Sequence, residues 1–248
     1  DFINEGVDQT RGWFFTLHAI ATMIFDSVAF KNVISTGLVL DAKGNKMSKH
    51  VGNVTNPFEM MEKYGADPVR FYMMTNSEPW DNLKFDPEGV DEVRRKFFGT
   101  LYNTYSFLAL YANVDGFDPE TMLNQGNLAE RPEIDRWIIS KANSLIINVC
   151  KQLNDYDPTR AGRLIDNFVN DDLSNWYVRL NRKRFWGKEM DSDKLNAYQT
   201  LYSCLMTVAK LVAPFAPFYA DRLYHDLGGK MDSVHLDSYP VADTEAID

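Results

Sequence analysis

Residues 32–56 read NVISTGLVLDAKGNKMSKHVGNVTN. Asn32 to Leu40 is a short β-branched run, which predicts a buried strand. Asp41-Ala42-Lys43-Gly44-Asn45 is turn chemistry, and it delivers the chain into Lys46-Met47-Ser48-Lys49. Gly52-Asn53-Val54 leads out toward Asn56-Pro57, a capping side chain ahead of a proline at a first helical position. Strand, turn, basic loop and capped helix in that order are α/β grammar. The two lysines, one turn of mobile loop apart, form a cationic clamp suited to the charge on a departing pyrophosphate, because lysine is a compact point charge on a long stem. Ser48 offers a hydroxyl to a phosphate oxygen, and Met47 can pack while its N–H stays available. The plain alternative is a solvated basic turn.

Upstream stands Glu5-Gly6-Val7-Asp8-Gln9-Thr10-Arg11-Gly12-Trp13-Phe14. Two carboxylates and an amide sit just before a predicted helix N-terminus, which favours charged or hydroxylated ligands. In α/β sheets such strand-to-helix ends face the ligand crevice. Asp8 is the expected cap of a helix running to about Asp26, with Trp13, Leu17, Ile20 and Ile24 at helical spacing. Phe14, Phe15 and Met23 make its other faces apolar, as for a helix buried against a sheet. Gly6 and Gly12 would admit a ligand or a neighbouring backbone, and Trp13 could wall an apolar pocket. The competing reading is structural, with Asp8 as cap and Trp13 in the core.

Downstream the signals are helical. Asp67-Pro68, Asp86-Pro87 and Asp157-Pro158 repeat the Asn56-Pro57 form, and the helices after Asn56 and Asp67 are short. Four amphipathic stripes follow: Val90, Val93, Phe97, Leu101 and Leu108; Ile134, Ile138, Ala142, Leu145 and Val149; Ala161, Ile165, Phe168, Trp176 and Leu180; Leu195, Tyr198, Leu201, Leu205 and Val208. A helical bundle is the simple way to partner them. Pro214 and Pro217 precede a last short helix at about 218–227, and the acidic tail after Tyr239 is expected to fray. The predicted organisation is 1–55 α/β, 56–85 a helical connecting unit, 86–230 a helical bundle and 231–248 a tail. Arg179, Arg182 and Lys183 share one helix with Trp176 and Trp186, the mixture that an unstacked RNA loop needs. Against that, Trp176 fits a core stripe, and Asp171 and Asp172 could pair with the arginines.

Of the 248 residues 45% are hydrophobic, enough for a sizeable core, while a formal net charge of −9 argues against general nucleic-acid binding. No apolar run reaches bilayer-spanning length and no signal peptide is visible. The opening at Asp1, inside a dense motif, reads as a cut start. Cys150 and Cys204 stand far apart and the four His residues show no zinc spacing, so no metal site is expected. Two lone thiols fit a reducing compartment, the cytoplasm.

Residues 32–70, with Tyr64-Gly65-Ala66-Asp67 and Arg70-Phe71 after the loop, resemble the KMSKS region of class I aminoacyl-tRNA synthetases, in the isoleucine, valine and leucine branch. His50 departs from the usual fifth residue, which implies tuning rather than loss. EGVDQTRGWF resembles the isoleucine-specific members; the valine branch is Phe-rich after its Asp, and the leucine branch has a Glu-His pair. Residues 90–227, through LSNWYVRLNRKRFW and LVAPFAPFYADRLY, resemble the anticodon-binding domain of the same branch. The resemblance implies an α/β plus all-α chain: the second part of a Rossmann catalytic domain with its KMSK loop, then a helical-bundle anticodon-binding domain. It implies Lys46 and Lys49 as catalytic, with Lys46, Met47, Ser48 and Lys49 on ATP. Glu5, Gly6, Asp8, Gln9 and Trp13 would meet isoleucyl-adenylate, and Arg179, Arg182 and Lys183 tRNA. Implied partners are isoleucine, ATP as its Mg2+ complex, tRNA for isoleucine, and the rest of a parent chain bearing the HIGH half and an editing domain, with no membrane. These residues alone are expected to be inactive. The rival readings are a tRNA-binding module without catalysis, a purely structural bundle, and a valine-specific relative.

Overall fold

The computed structural model describes residues 1–123, 127–187 and 189–248. Strand β1 (Phe2–Gly6) pairs in parallel with β2 (Asn32–Thr36), Phe2 opposite Asn32 and Gly6 opposite Thr36. A parallel pair needs a crossover, and residues 7–31 with helix α1 (Trp13–Phe25) supply it. A second parallel pair joins β3 (Val39–Leu40) to β4 (Leu83–Lys84), and its crossover carries α2 (Pro57–Tyr64) and α3 (Ala66–Asn76).

The continuous strand expected from Asn32 to Leu40 is therefore two strands broken at Gly37. Gly37 N donates to Pro79 O at 2.9 Å and Leu38 N to Asn82 Oδ1 at 2.8 Å. A Cβ at Gly37 would lie 2.2 Å from the Asp81 carbonyl oxygen, so a side chain would push the 79–82 segment out of the break. The strand is not buried either, since two-stranded sheets leave faces that nothing in the described residues covers: Val33 and Val39 are substantially exposed. The same holds for α1, where Phe14 is buried but Phe15, Met23, Ile24 and Phe25 lie open to solvent. Nor does Asp8 cap this helix. Val7–Arg11 form a 3-10 turn, Gly12 takes the cap position, and Gln9 Oε1 accepts from Trp13 N at 3.1 Å.

Asn56 caps α2 as expected, accepting from Phe58 N at 3.0 Å with Pro57 in the first turn. Asp67 does not cap a helix of its own, because α3 already starts at Ala66 behind Gly65, whose φ of 92° turns the chain. It is buried instead, and its Oδ2 accepts from Tyr219 N at 2.6 Å in the first turn of α11 (Pro217–Asp226). Val69, Tyr72, Leu83, Phe85 and Val90 close a small core around this unit.

The remaining helices are α4 (Pro87–Val93), α5 (Gly99–Asp115), α6 (Pro119–Met122), α7 (Glu133–Asn154), α8 (Pro158–Asn167), α9 (Arg179–Phe185), α10 (Ser192–Val212) and α11. Asp86, Asp118, Asp157 and Asp191 cap α4, α6, α8 and α10 through side-chain oxygens. The stripes on α4–α5, α7 and α10 meet in one core, apart from Val90, which belongs to the small core. The third stripe holds only through Phe168; Trp176 and Leu180 are 56% and 52% exposed. Phe168–Val178 is a π-helical stretch, whose wider turn rotates later residues off an α-helical register. The buried set becomes Val169, Leu173, Tyr177, Val178 and Phe185.

Helix α8 ties the bundle to the connecting unit. Thr159 Oγ1 donates to Met74 O and Ser77 O, and Arg163 donates to Thr75 O and Asn76 O, at 2.8 to 3.0 Å. Those carbonyls lie at the C-terminal end of α3, which has no intrahelical partners for them. The tail does not fray: Tyr239 donates to Leu211 O, Asp243 N to Asn143 Oδ1 and Asp248 N to Ser140 Oγ, which seats it along α7.

Candidate functional site

The basic loop is built on one carboxylate. Asp41 Oδ1 accepts from Lys43 N at 3.0 Å and Asn45 N at 2.7 Å, closing the turn that the sequence predicts. Its Oδ2 accepts from Asn53 Nδ2 at 2.9 Å, twelve residues on. The same Nδ2 donates to Lys46 O at 3.2 Å, and Asn53 Oδ1 accepts from Ser48 N at 2.9 Å. Val51 N and Gly52 N both donate to Ser48 O, forming a second turn completed by Gly52 at φ 72°. Met47 points inward against the Val69–Val90 core. Lys46 and Lys49 are exposed and form no ion pair among the described residues. Ser48 is half-buried, its Oγ accepting from His50 N at 3.2 Å.

Hydrogen bonds from Asn53 first, then from the Asn45 amide, lower the Asp41 carboxyl to about 2. A depressed folded-state value means stability gained above the unfolded value near 3.8 and lost as pH falls toward 2. A carboxyl-carbon NMR titration should accordingly find Asp41 ionised throughout the neutral range and protonating only near pH 2.

The upstream block sits at the C-terminal end of β1, in register with the end of β2 that leads to the loop-bearing β3. Glu5 and Asp8 are exposed, Gly6 and Gln9 half-buried. Gln9 bridges Asp8 and the helix start, donating to Asp8 Oδ2 at 2.8 Å while accepting from Trp13 N. Trp13 is 50% exposed among the described residues. No hydrogen bond or ion pair among the described residues joins this block to Lys46 or Lys49.

On α9, Arg179, Arg182 and Lys183 are exposed. Trp176 lies beside Trp137 with ring centroids 6.4 Å apart, and Trp186 is exposed near the other end of the helix. The expected pairing of Asp171 and Asp172 with the arginines does not occur: Asp172 meets Lys141 at 3.3 Å, and Arg184 turns inward to Asp135. From sequence, Asp41 is legible only as a turn residue and Asn53 only as a lead-out. The DxxxN spacing signals the turn, but nothing local signals a bond across twelve residues.

Residues 1–86 match the family "tRNA synthetases class I (I, L, M and V)", and residues 135–248 match "Anticodon-binding domain of tRNA ligase". The chain is 67% identical over 253 aligned residues to an isoleucine–tRNA ligase of Bacteroides thetaiotaomicron, covering 100% of this chain and 22% of that relative. It is 66% identical over 248 residues to one from Porphyromonas gingivalis, with the same coverage. The chain thus spans 22% of the length of these curated relatives. Among solved structures, a LeuRS–tRNA–LeuAMS ternary complex of Agrobacterium radiobacter K84 aligns at TM-score 0.72 and 19% identity, covering 100% of this chain and 29% of that one. A Mycobacterium tuberculosis methionyl-tRNA synthetase with methionyl-adenylate aligns at 0.72 and 22%, covering 90% and 43%. At those identities the structural likeness speaks for the fold alone.

Proposed function

We propose that this chain belongs to the isoleucine–tRNA ligases, as its similarity to them supports, and contributes the phosphate loop, part of the aminoacyl-adenylate site and the anticodon-binding bundle of an enzyme that charges tRNA with isoleucine. The carrying observation is the stapled loop beyond a parallel strand, presenting two exposed lysines that no described residue pairs. In the first step the isoleucine carboxylate attacks the α-phosphorus of ATP, a carboxylate–phosphorus bond forms, and the bond to the β-phosphate oxygen breaks. Pyrophosphate leaves with the electron pair. In the second step a hydroxyl of the terminal adenosine of the tRNA takes the acyl group and AMP departs. Lys49 and Lys46 meet the charge that develops on the leaving phosphates, while Ser48 and the Met47 N–H hold phosphate oxygens. ATP carries its own Mg2+ as substrate.

Glu5, Asp8 and Gln9 suit the ammonium and ribose hydroxyls of isoleucyl-adenylate, with Gly6 keeping the approach open and Trp13 against the side chain. Arg179, Arg182 and Lys183 serve the tRNA. No helix among the described residues is long and apolar enough to cross a membrane, and the free thiols Cys150 and Cys204 suit the cytoplasm as the working compartment. The exposed apolar side of α1 fits a chain that works only with the remaining Rossmann half, the editing domain and the rest of the longer protein.

The test is amino-acid-dependent ATP–pyrophosphate exchange by the full-length chain. Isoleucine should be preferred to valine by about 10–200-fold, the established scale for one methylene with this pair of amino acids and not a consequence of this geometry. The 248 residues alone should give no exchange. Preference for valine or leucine, or exchange by the short chain, would reject the assignment.

A further inference from the structure

We infer that Asp41 and Asn53 form a positioning clasp for the phosphate loop, acting on catalysis by fixing the peptide units that flank Met47. This rests on the ATP reading of Lys46 and Lys49.

Asn53 turns both its side-chain amide group and its carbonyl oxygen onto the loop and its turn. It donates to Asp41 Oδ2 at 2.9 Å and to Lys46 O at 3.2 Å, and accepts from Ser48 N at 2.9 Å. The carbonyl of the first lysine and the amide of the serine are thereby tied to one anchor. Met47 between them is pinned on the other side by the apolar core. Lys46 and Lys49 therefore leave a base whose backbone is already ordered, while the tip stays open, with Val51 71% exposed. Asp41 in turn is held by the turn amides of Lys43 and Asn45 at the end of β3. The chain of restraint runs from strand to carboxylate to amide to loop.

Such a base is more than general scaffolding. The side-chain bonds of Asp41 and Asn53 reach only the turn and the loop. A catalytic cation that must meet charge appearing late in the reaction works best when its position is set beforehand, and misplacement of about 1 Å can cost about 100-fold. A polar pair at the base of an exposed loop supplies that order without packing the tip.

The experiment uses the full-length enzyme with Asn53→Ala, Asn53→Asp, Asp41→Asn, the exchanged pair Asp41→Asn with Asn53→Asp, and Lys49→Ala as reference. Exchange kinetics are read as kcat and as KM for isoleucine, with tRNA affinity and thermal melting alongside. Asn53→Ala should lower kcat by about 10–100-fold with KM for isoleucine and tRNA affinity within about twofold of the parent. Asn53→Asp should be worse, because two carboxylates would face each other. In the exchanged pair, the new amide at position 41 would still accept both turn N–H groups through its oxygen and donate to the new carboxylate at position 53, while the bond to Lys46 O would be lost, so recovery is partial. The exchanged pair should therefore recover kcat about tenfold over Asn53→Asp. Single variants that leave kcat intact while Lys49→Ala abolishes exchange would overturn the clasp alone. Loss of kcat, isoleucine KM, tRNA affinity and melting temperature together, without recovery in the exchanged pair, would reduce it to a fold element. A silent Lys49→Ala would overturn both the clasp and the ATP reading beneath it.

Discussion

Replacing Lys49 by alanine should lower isoleucine-dependent ATP–pyrophosphate exchange by about 100- to 1,000-fold, the usual consequence of removing one preorganised partner of developing charge, about 2.7–4 kcal/mol. The structure shows why the loss should be concentrated in kcat. The Lys49 ammonium has no ion-pair partner among the described residues and stands on an exposed turn, so its removal disturbs no packing and leaves no buried charge behind. An interaction made mainly as pyrophosphate departs affects the transition state more than the bound substrates, and KM for isoleucine should hardly move. Lys49→Arg should restore only part of the rate, because a planar guanidinium does not reproduce a point charge on a flexible stem. Exchange unaffected by Lys49→Ala would make the loop scaffold and remove the mechanism assigned to it.

The features readable from the sequence were those whose causes lie within a few residues. Asn56, Asp86 and Asp157 cap helices because a short acceptor stands beside a proline-started turn. The stripes on α4–α5, α7 and α10 bury as their spacing requires. The KMSK tetrapeptide is visible in the sequence together with the turn that Asp41 closes.

Most of the failures have a distant cause. The strand breaks at Gly37 because Pro79 and Asn82 supply its partners. Asp67 leaves the local capping pattern because a helix start 152 residues later takes its carboxylate. Trp176 and Leu180 turn outward because a π-helical stretch changes the period in mid-helix, a change no α-helical template contains. The tail is held by Asn143 and Ser140, whose side chains carry no signal that they await a partner. The same reasoning hid Asn53, whose importance lies across the loop rather than along it.

Within α9 that distinction between near and far causes divides four cations of one short segment into two kinds, and their variants should separate. Arg184 is largely buried and grips Asp135 with both terminal nitrogens at 2.7 and 2.8 Å, while Asp135, fully buried, also accepts from Tyr177 Oη at 2.7 Å. Arg184 further bonds the Asp193 carboxylate and backbone, which joins α9 to the start of α10. Arg184→Ala would strip the buried Asp135 carboxylate of both guanidinium hydrogen bonds, leaving it Tyr177 and the charge of Arg131, and breaking such a buried pair costs about 3–5 kcal/mol. The helical transition of the full-length protein in urea should shift to markedly lower denaturant. Arg184→Met with Asp135→Leu and Tyr177→Phe should recover much of the loss, since apolar replacement of a whole buried network is often neutral, whereas leaving the Tyr177 hydroxyl without its acceptor would not be. Arg179, Arg182 and Lys183 point to solvent, so their alanine variants should leave that transition within about 0.5 kcal/mol of the parent. If they face tRNA, each should weaken binding and reduce its salt slope by about one. Should Arg184→Ala melt with the parent, the Asp135 pocket would have to be hydrated, and the division of the helix into an inner anchor and an outer RNA face would fail.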